Sequence, residues 1–261
     1  MFDLSVWLMG LAALLAAGFL TWLLSVAKRD VSIVDVLWSL LFLIAALIYA
    51  WAALPLPRST LVIALVAIWS LRLATYIAMR NRGQPEDYRY QVIRRRNDPG
   101  FAFKSLYLVF FLQAGLAWVI SLPLLGATLG TRPLGWLDGA GALLWLVGFV
   151  FEAGGDWQLA RFKADPASKG QVMDRGLWRY TRHPNYFGDF CVWWGFYLIG
   201  LSAGAWWALP GPLLMSVLLL RVSGVALLEK SIGRRRPGYE DYVRRTNAFF
   251  PGPARSRRRE A

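Results

Sequence analysis

Long apolar runs separated by short polar breaks dominate the chain. Seven such runs lie near Leu4–Ala27, Val31–Leu54, Thr60–Met79, Ser105–Gly126, Trp136–Gly154, Tyr186–Trp207 and Gly211–Leu228. Each is close to the roughly 20 residues a helix needs to cross the hydrocarbon core of a bilayer. The pattern predicts an all-α, polytopic membrane protein with seven transmembrane helices. Residues 1–250 read as a single membrane domain and residues 251–261 as a basic disordered tail. The first run is too long for a signal-peptide core and lacks a basic start, so it reads as a retained helix.

The polar breaks differ sharply in charge. Taking the connections in order, the odd-numbered ones and the tail hold 25 of the 29 Lys and Arg residues, and the even-numbered ones hold 2. Arg72 and Arg221 fall inside runs. This alternation predicts an external N-terminus and a cytoplasmic C-terminus. It also accounts for the net charge of +13 without nucleic acid. Composition agrees: 57% of residues are hydrophobic and only 17% charged, against about 25% charged in a soluble domain. The lone Cys191 rules out an internal disulfide, and the lone His183 a poly-histidine metal site. The internal connections are far longer than charge bias requires, which points to a cytoplasmic binding site.

Ionisable groups within the runs are costly and face a cavity or a partner. Asp35 lies one turn into the second run, three residues before Trp38; Arg72 and Arg221 lie mid-run; Asp189 starts the sixth. Asp35 either pairs with a cation such as Arg72 or acts as an acid beside an aromatic-lined cavity. Tyr76 is a possible proton donor or an interfacial anchor. Gly135-x-x-x-Gly139 has the spacing of close helix packing.

On the cytoplasmic side, Glu152, Asp156, Leu159 and Lys163 share one face of a helix that continues the fifth run. A carboxylate there suits ligand hydroxyls, and Arg161 and Lys163 suit phosphate. Pro184 can start the next helix, whose first amides, around Asn185 to Gly188, would favour an anion. Arg182 and His183 add donors, and Gly188 permits close backbone approach. Tyr239, Tyr242, Arg244 and Arg245 interleave aromatics with guanidinium groups, a mixture that holds phosphate and stacks on a base. No soluble nucleotide-binding motif is present.

Gly176-Leu177-Trp178-x-Tyr180-x-Arg182-His183-Pro184-Asn185-Tyr186-x-Gly188-Asp189, followed by Glu229-Lys230 and Pro237-x-Tyr239-x-x-Tyr242, resembles the bacterial branch of the steroid 5α-reductase family. Sterol reductases and isoprenylcysteine carboxyl methyltransferase form its wider group. The resemblance covers the C-terminal half and Asn81–Pro85. It implies a seven-helix fold in the bacterial inner membrane, NADPH as cofactor, and hydride transfer to the β-carbon of an enone. The substrate would be a steroid or isoprenoid enone entering from the lipid. By motif, Asp156 and Asn185 contact the cofactor, Arg221 lies in its pocket and Lys163 takes a phosphate. Arg161, Trp178, Tyr180, Arg182, His183, Tyr186, Asp189, Lys230, Tyr239, Tyr242 and Arg245 complete the expected cofactor site. The adjacent Gln-Glu pair of the animal enzymes has no counterpart here. Asp35 and Tyr76 are the expected catalytic substitutes, with Trp38 and Arg72 on the substrate side.

The nearest alternative is an S-adenosylmethionine-dependent membrane methyltransferase, which shares the Arg-His-Pro core. Those enzymes show two adjacent glutamates where this chain has Glu229-Lys230, and their cofactor carries no phosphate to occupy the excess of bases. A non-catalytic lipid- or sterol-binding protein is the second alternative.

Overall fold

The computed structural model describes residues 2–53, 56–222 and 238–254. Apolar periodicity becomes helix throughout, and no strand occurs among the described residues. Helix α1 spans Leu4–Lys28, α2 Ile33–Trp51, α3 Pro57–Asn81, α4 Tyr88–Asn97 and α5 Phe101–Ser105. A π-helical turn, Leu106–Phe111, joins α5 to α6, Leu112–Ile120, and α7 covers Leu122–Leu129. Then follow α8 Trp136–Ala164, α9 Pro184–Ser202, α10 Pro210–Val217 and α11 Tyr239–Arg245. Five helices are long and apolar enough to cross a membrane: α1, α2, α3, the continuous Phe101–Ile120 and α8. The protein is therefore membrane-embedded and multi-pass.

The helices fall into two compact units, residues 1–138 with 197–211, and residues 139–196 with 212–261. In the first, α2 is the central element. Its face Val34, Leu37, Leu41, Ala45 and Tyr49 recurs at three- and four-residue steps and is buried. The Tyr49 hydroxyl reaches the Ser121 hydroxyl at 2.8 Å, and its ring fills the space a side chain on Gly10 would need. Arg58 is buried in this unit. Its guanidinium binds Asp138 at 2.7 Å and the carbonyls of Arg132 and Pro133 at 2.8 Å. Trp7 and Trp118 stack at 3.7 Å, and each indole N–H donates to the other's carbonyl.

Sequence predicts one uninterrupted helix from Ser105 to Gly126. It breaks instead at Ser121, because Pro123 has no N–H to continue the ladder. The Ser121 hydroxyl donates to the Trp118 carbonyl there. The predicted seventh run, Gly211–Leu228, ends beyond Val222, so its last six residues lie outside the described residues.

In the second unit α8 and α9 are antiparallel and nearly touch. Gly141, Gly148 and Gly155 recur every seven residues on α8, as do Gly188 and Gly195 on α9. A methyl group on Gly148 would stand 2.5 Å from the Gly188 carbonyl, and one on Gly195 would stand 2.7 Å from the Gly141 carbonyl. One on Gly188 would fall on the backbone nitrogen of Glu152. The close packing expected of Gly135 and Gly139 is therefore carried elsewhere: a side chain on Gly139 would meet nothing within 4 Å. A seven-residue repeat keeps two helices in contact over several turns, whereas one four-residue pair marks a single crossing.

Gly188→Val should force α8 and α9 apart and destabilise the protein by about 3 kcal/mol, while Gly139→Ala leaves stability unchanged. Thermal unfolding of the two variants in detergent checks the contrast.

Candidate functional site

The glycine seam fixes the first element of the site. Gly155 lies against Pro184 and the Asn185 nitrogen. This brings Asp156, one residue on along α8, beside Asn185, the second residue of α9. The Asn185 Nδ2 donates to Asp156 Oδ1 at 3.2 Å, and Asn185 Oδ1 accepts from the Tyr186 amide at 3.1 Å. Asp156 is buried, as is Glu152 one turn deeper on the same helix.

A lid closes over this junction. Gly176 sits at φ +58°, a left-handed conformation that glycine adopts readily, and the Gln158 side chain occupies the place of its missing Cβ. Gln158 accepts from the Leu177 amide at 2.9 Å, and Trp178 donates its indole N–H to the Gly155 carbonyl at 3.1 Å. Thr181 and Asn247 form an isolated parallel bridge. The Thr181 hydroxyl donates to the Phe249 carbonyl at 2.7 Å, and Gly252 N–H donates to the Tyr180 carbonyl at 3.0 Å. Phe187, Phe190, Phe249 and Phe250 pack edge to face beneath.

Several residues expected to hold an anion are employed within this lid. Arg182 is buried, and its Nη1 donates to the Val243 and Thr246 carbonyls at 2.9 Å each, closing the C-terminal end of α11. Such carbonyls have no partner within their own helix, and a cation there also opposes the helix dipole. Tyr242 is buried and donates to the Trp178 carbonyl at 2.6 Å. Burial pushes its phenol above the ordinary tyrosine range. Tyr239 is buried beside it. Arg245 reaches Asp174 at 3.4 Å. Of the α9 amides expected to face an anion, that of Tyr186 binds the Asn185 side chain and that of Phe187 the His183 carbonyl. Gly188 gives its close approach to α8 rather than to a ligand. His183 is buried and stacked on Tyr186 at 5.6 Å.

The remaining residues of the expected site differ in exposure. Arg161 is exposed and lies over the Trp157 ring at 5.0 Å. Lys163, Arg179 and Tyr180 are also exposed, and Asp189 is half-buried. Arg221 is exposed in the π-helical turn Leu218–Val222, and Lys230 lies outside the described residues.

In the other unit, Asp35 is not held by Arg72. Its carboxylate accepts from Arg89 Nη2 at 2.7 Å and from the Tyr90 hydroxyl at 2.6 Å. Arg89 also binds Asp87, and Arg94 binds Glu86 at 2.7 Å. Glu86 in turn accepts from the Val31 amide at 2.9 Å. The third connection therefore folds onto the start of α2 through a polar network. Sequence reading treats Arg89 and Arg94 as topological charge and misses Tyr90. The available signal is Asp87, whose side chain accepts from the Arg89 amide and caps α4. Trp38, Phe42 and Trp69 form a ladder of rings 5.2 and 5.8 Å apart along the α2–α3 contact. Arg72 and Tyr76 follow Trp69 on α3, at three and seven residues; both are half-buried.

The chain belongs to the DUF1295 family, described as a protein of unknown function, which matches residues 21–246. It is also similar to the uncharacterized protein C594.04c of Schizosaccharomyces pombe. The two are 28% identical over 288 aligned positions that cover 96% of this chain and 81% of the yeast protein. No solved structure matches it.

Two predictions follow from the networks. Removing the Arg182 guanidinium leaves buried carbonyls unsatisfied, so Arg182→Met should loosen the lid at a cost of about 2 kcal/mol. Proteolysis should then cleave preferentially near residues 238–254. Burial opposes the charged form of Asp87, but hydrogen bonds from Arg89 and the Arg80 charge outweigh it and hold its carboxyl below the usual range. A lowered folded value stabilises above the unfolded pKa and is lost as pH falls through the folded one. Hydrogen exchange of α4 should therefore quicken as pH drops below about 4, beyond the intrinsic pH trend of exchange. Asp87→Asn keeps the cap and should abolish that added dependence.

Proposed function

We propose that the protein is an NADPH-dependent reductase of the C=C bond of an enone. A 3-oxo-Δ4 steroid, reduced at the 5α position, is the substrate class that the Gly176–Asp189 motif favours. One observation carries the reading. Asn185 is clamped with one amide hydrogen on Asp156 and one lone pair on the Tyr186 amide. A carboxamide has two donor hydrogens and two acceptor lone pairs. One of each remains, which is the complement of a second carboxamide such as that of nicotinamide.

The residues fit the cofactor. Asp156 offers a buried carboxylate for a hydroxyl or amide donor, and Arg161, Lys163 and Arg179 are exposed cations suited to phosphates. Arg182 is withdrawn from that role by its capping of α11. NADPH, when bound, supplies the hydride that adds to the enone's β-carbon. The protein's own contribution is orientation and electrostatics. Asn185 fixes the position of the bound amide. Tyr76, with Trp38 and Arg72, belongs to the substrate side, where a donor must polarise the carbonyl oxygen as negative charge develops on it. Asp35, accepting from Arg89 and the Tyr90 hydroxyl, has no proton to give and serves there to orient its neighbours. Tyr90 and Arg89 hold the Asp35 carboxylate in one orientation. The substrate dissolves in the bilayer and reaches the protein from the lipid. In this reading seven helices span a bacterial cytoplasmic membrane with the C-terminus inside, as the alternation of basic connections supports.

Purified protein in detergent should oxidise NADPH when testosterone or progesterone is added. NADPH at 100 times its Kd should stabilise the fold by about 2.7 kcal/mol, with no response to S-adenosylmethionine. Asn185→Ala and Asp156→Ala should each lower kcat/KM by about 10- to 100-fold, the loss expected for a hydrogen bond to a charged or buried partner, while the melting temperature without ligand stays within a few degrees. Stabilisation by S-adenosylmethionine alone would replace the reductase with a methyltransferase.

A further inference from the structure

Five tryptophan indoles in this protein find acceptors. Trp22 donates to the Ala102 carbonyl, Trp178 to the Gly155 carbonyl and Trp194 to the Ser216 hydroxyl, besides the reciprocal pair Trp7 and Trp118. Trp145 differs. It is 4% exposed, and its Nε1 is buried with no hydrogen-bond partner. A buried donor left unsatisfied costs about 1–3 kcal/mol, and native structures rarely tolerate one without a ligand or water to meet it.

Its position gives the donor a context. Trp145 stacks on Phe149 with ring centroids 5.1 Å apart and planes 13° apart. The glycine seam runs beside it, since a side chain on Gly195 would strike the Trp145 backbone. Trp145, Phe149, Glu152 and Asp156 follow one another at four, three and four residues, so they share one side of α8. That side descends from the buried Asp156 carboxylate, through buried Glu152, to the indole about 16 Å lower. Two carboxyl groups and an unmet N–H on one side of a membrane helix are not ordinary apolar packing.

We propose that Trp145 is a recognition residue: its indole N–H donates to a carbonyl or hydroxyl oxygen on an otherwise apolar, membrane-soluble ligand. The identity of that ligand rests on the enone-reductase reading. In that reading Trp145 takes an oxygen other than the enone's. The stacked pair with Phe149 supplies a flat apolar wall beside the donor. Trp145 thereby selects substrates with a second oxygen over those oxygenated only at the enone.

The test compares testosterone with androst-4-en-3-one, which lacks the 17-hydroxyl, against wild type and Trp145→Phe. Phenylalanine keeps a ring for Phe149 and removes only the donor. Binding is followed by thermal titration in detergent without cofactor. Wild type should bind testosterone about 3- to 10-fold more tightly than the deoxy steroid, the range of one net hydrogen bond. Trp145→Phe should bind both equally, at the deoxy level, with an unchanged melting temperature in the absence of steroid. A preference that survives in Trp145→Phe overturns the proposal, as does a wild type that prefers neither or binds neither. NADPH oxidation is measured separately on the same samples. A binding preference that depends on Trp145, without NADPH oxidation, upholds the recognition site and removes the reductase reading.

Discussion

The approach of α8 to α9 across glycine is the constraint on which the second unit depends. Inside a bilayer, apolar side chains gain little by leaving lipid for protein, so helices associate where small residues let backbones come close. The seven-residue repeat of Gly141, Gly148 and Gly155 against Gly188 and Gly195 extends that closeness over several turns. Its last contact is Gly155 with Pro184. Asp156 and Asn185 come next on their helices, so their hydrogen bond follows from the geometry of the seam. A wider helix pair would separate the half-buried Asn185 from the buried Asp156.

Basic residues show how one charge pattern can serve different ends. The bias of Lys and Arg toward alternate connections concerns insertion, and is indifferent to what each side chain does afterwards. Arg89 and Arg94 fold the third connection onto α2 through Asp35, Asp87 and Glu86. Arg182 closes α11 and so holds the lid's chain ends together. Arg58 is buried against Asp138 and a cluster of carbonyls. Replacing one partner of such a pair strands a buried charge. The bases at the end of α8 are different. Arg161 and Lys163 are exposed on a helix that continues past the apolar stretch.

Much of this was readable in sequence, and the reasons for the rest are specific. Apolar run length gave the helices because a membrane imposes one length scale. It missed the break at Ser121, where Pro123 acts on the ladder rather than on hydropathy. The glycine seam is visible as a spacing of seven, yet a four-residue spacing drew attention to Gly135 and Gly139. The Asp156–Asn185 pairing spans 29 residues and needs both helices in place. Asp35's partners lie 54 and 55 residues away in what reads as a charged loop. Motif reading assigned Arg182 and Tyr242 to a ligand because residue type alone does not separate a donor aimed outward from one capping a helix.

That last ambiguity bears on how the lid can act. Arg182, Thr181 and Tyr180 tie the segment before α9 to the segment after α11 by backbone and side-chain bonds, several of them to carbonyls. Asn185 lies three residues beyond Arg182, so its carboxamide is oriented from one side by the lid and from the other by α8. A group fixed from both sides loses little freedom when a ligand arrives, and binding then costs less ordering entropy. By tying down the lid, Arg182 helps hold Asn185 in the orientation in which it donates to Asp156 and accepts from the Tyr186 amide.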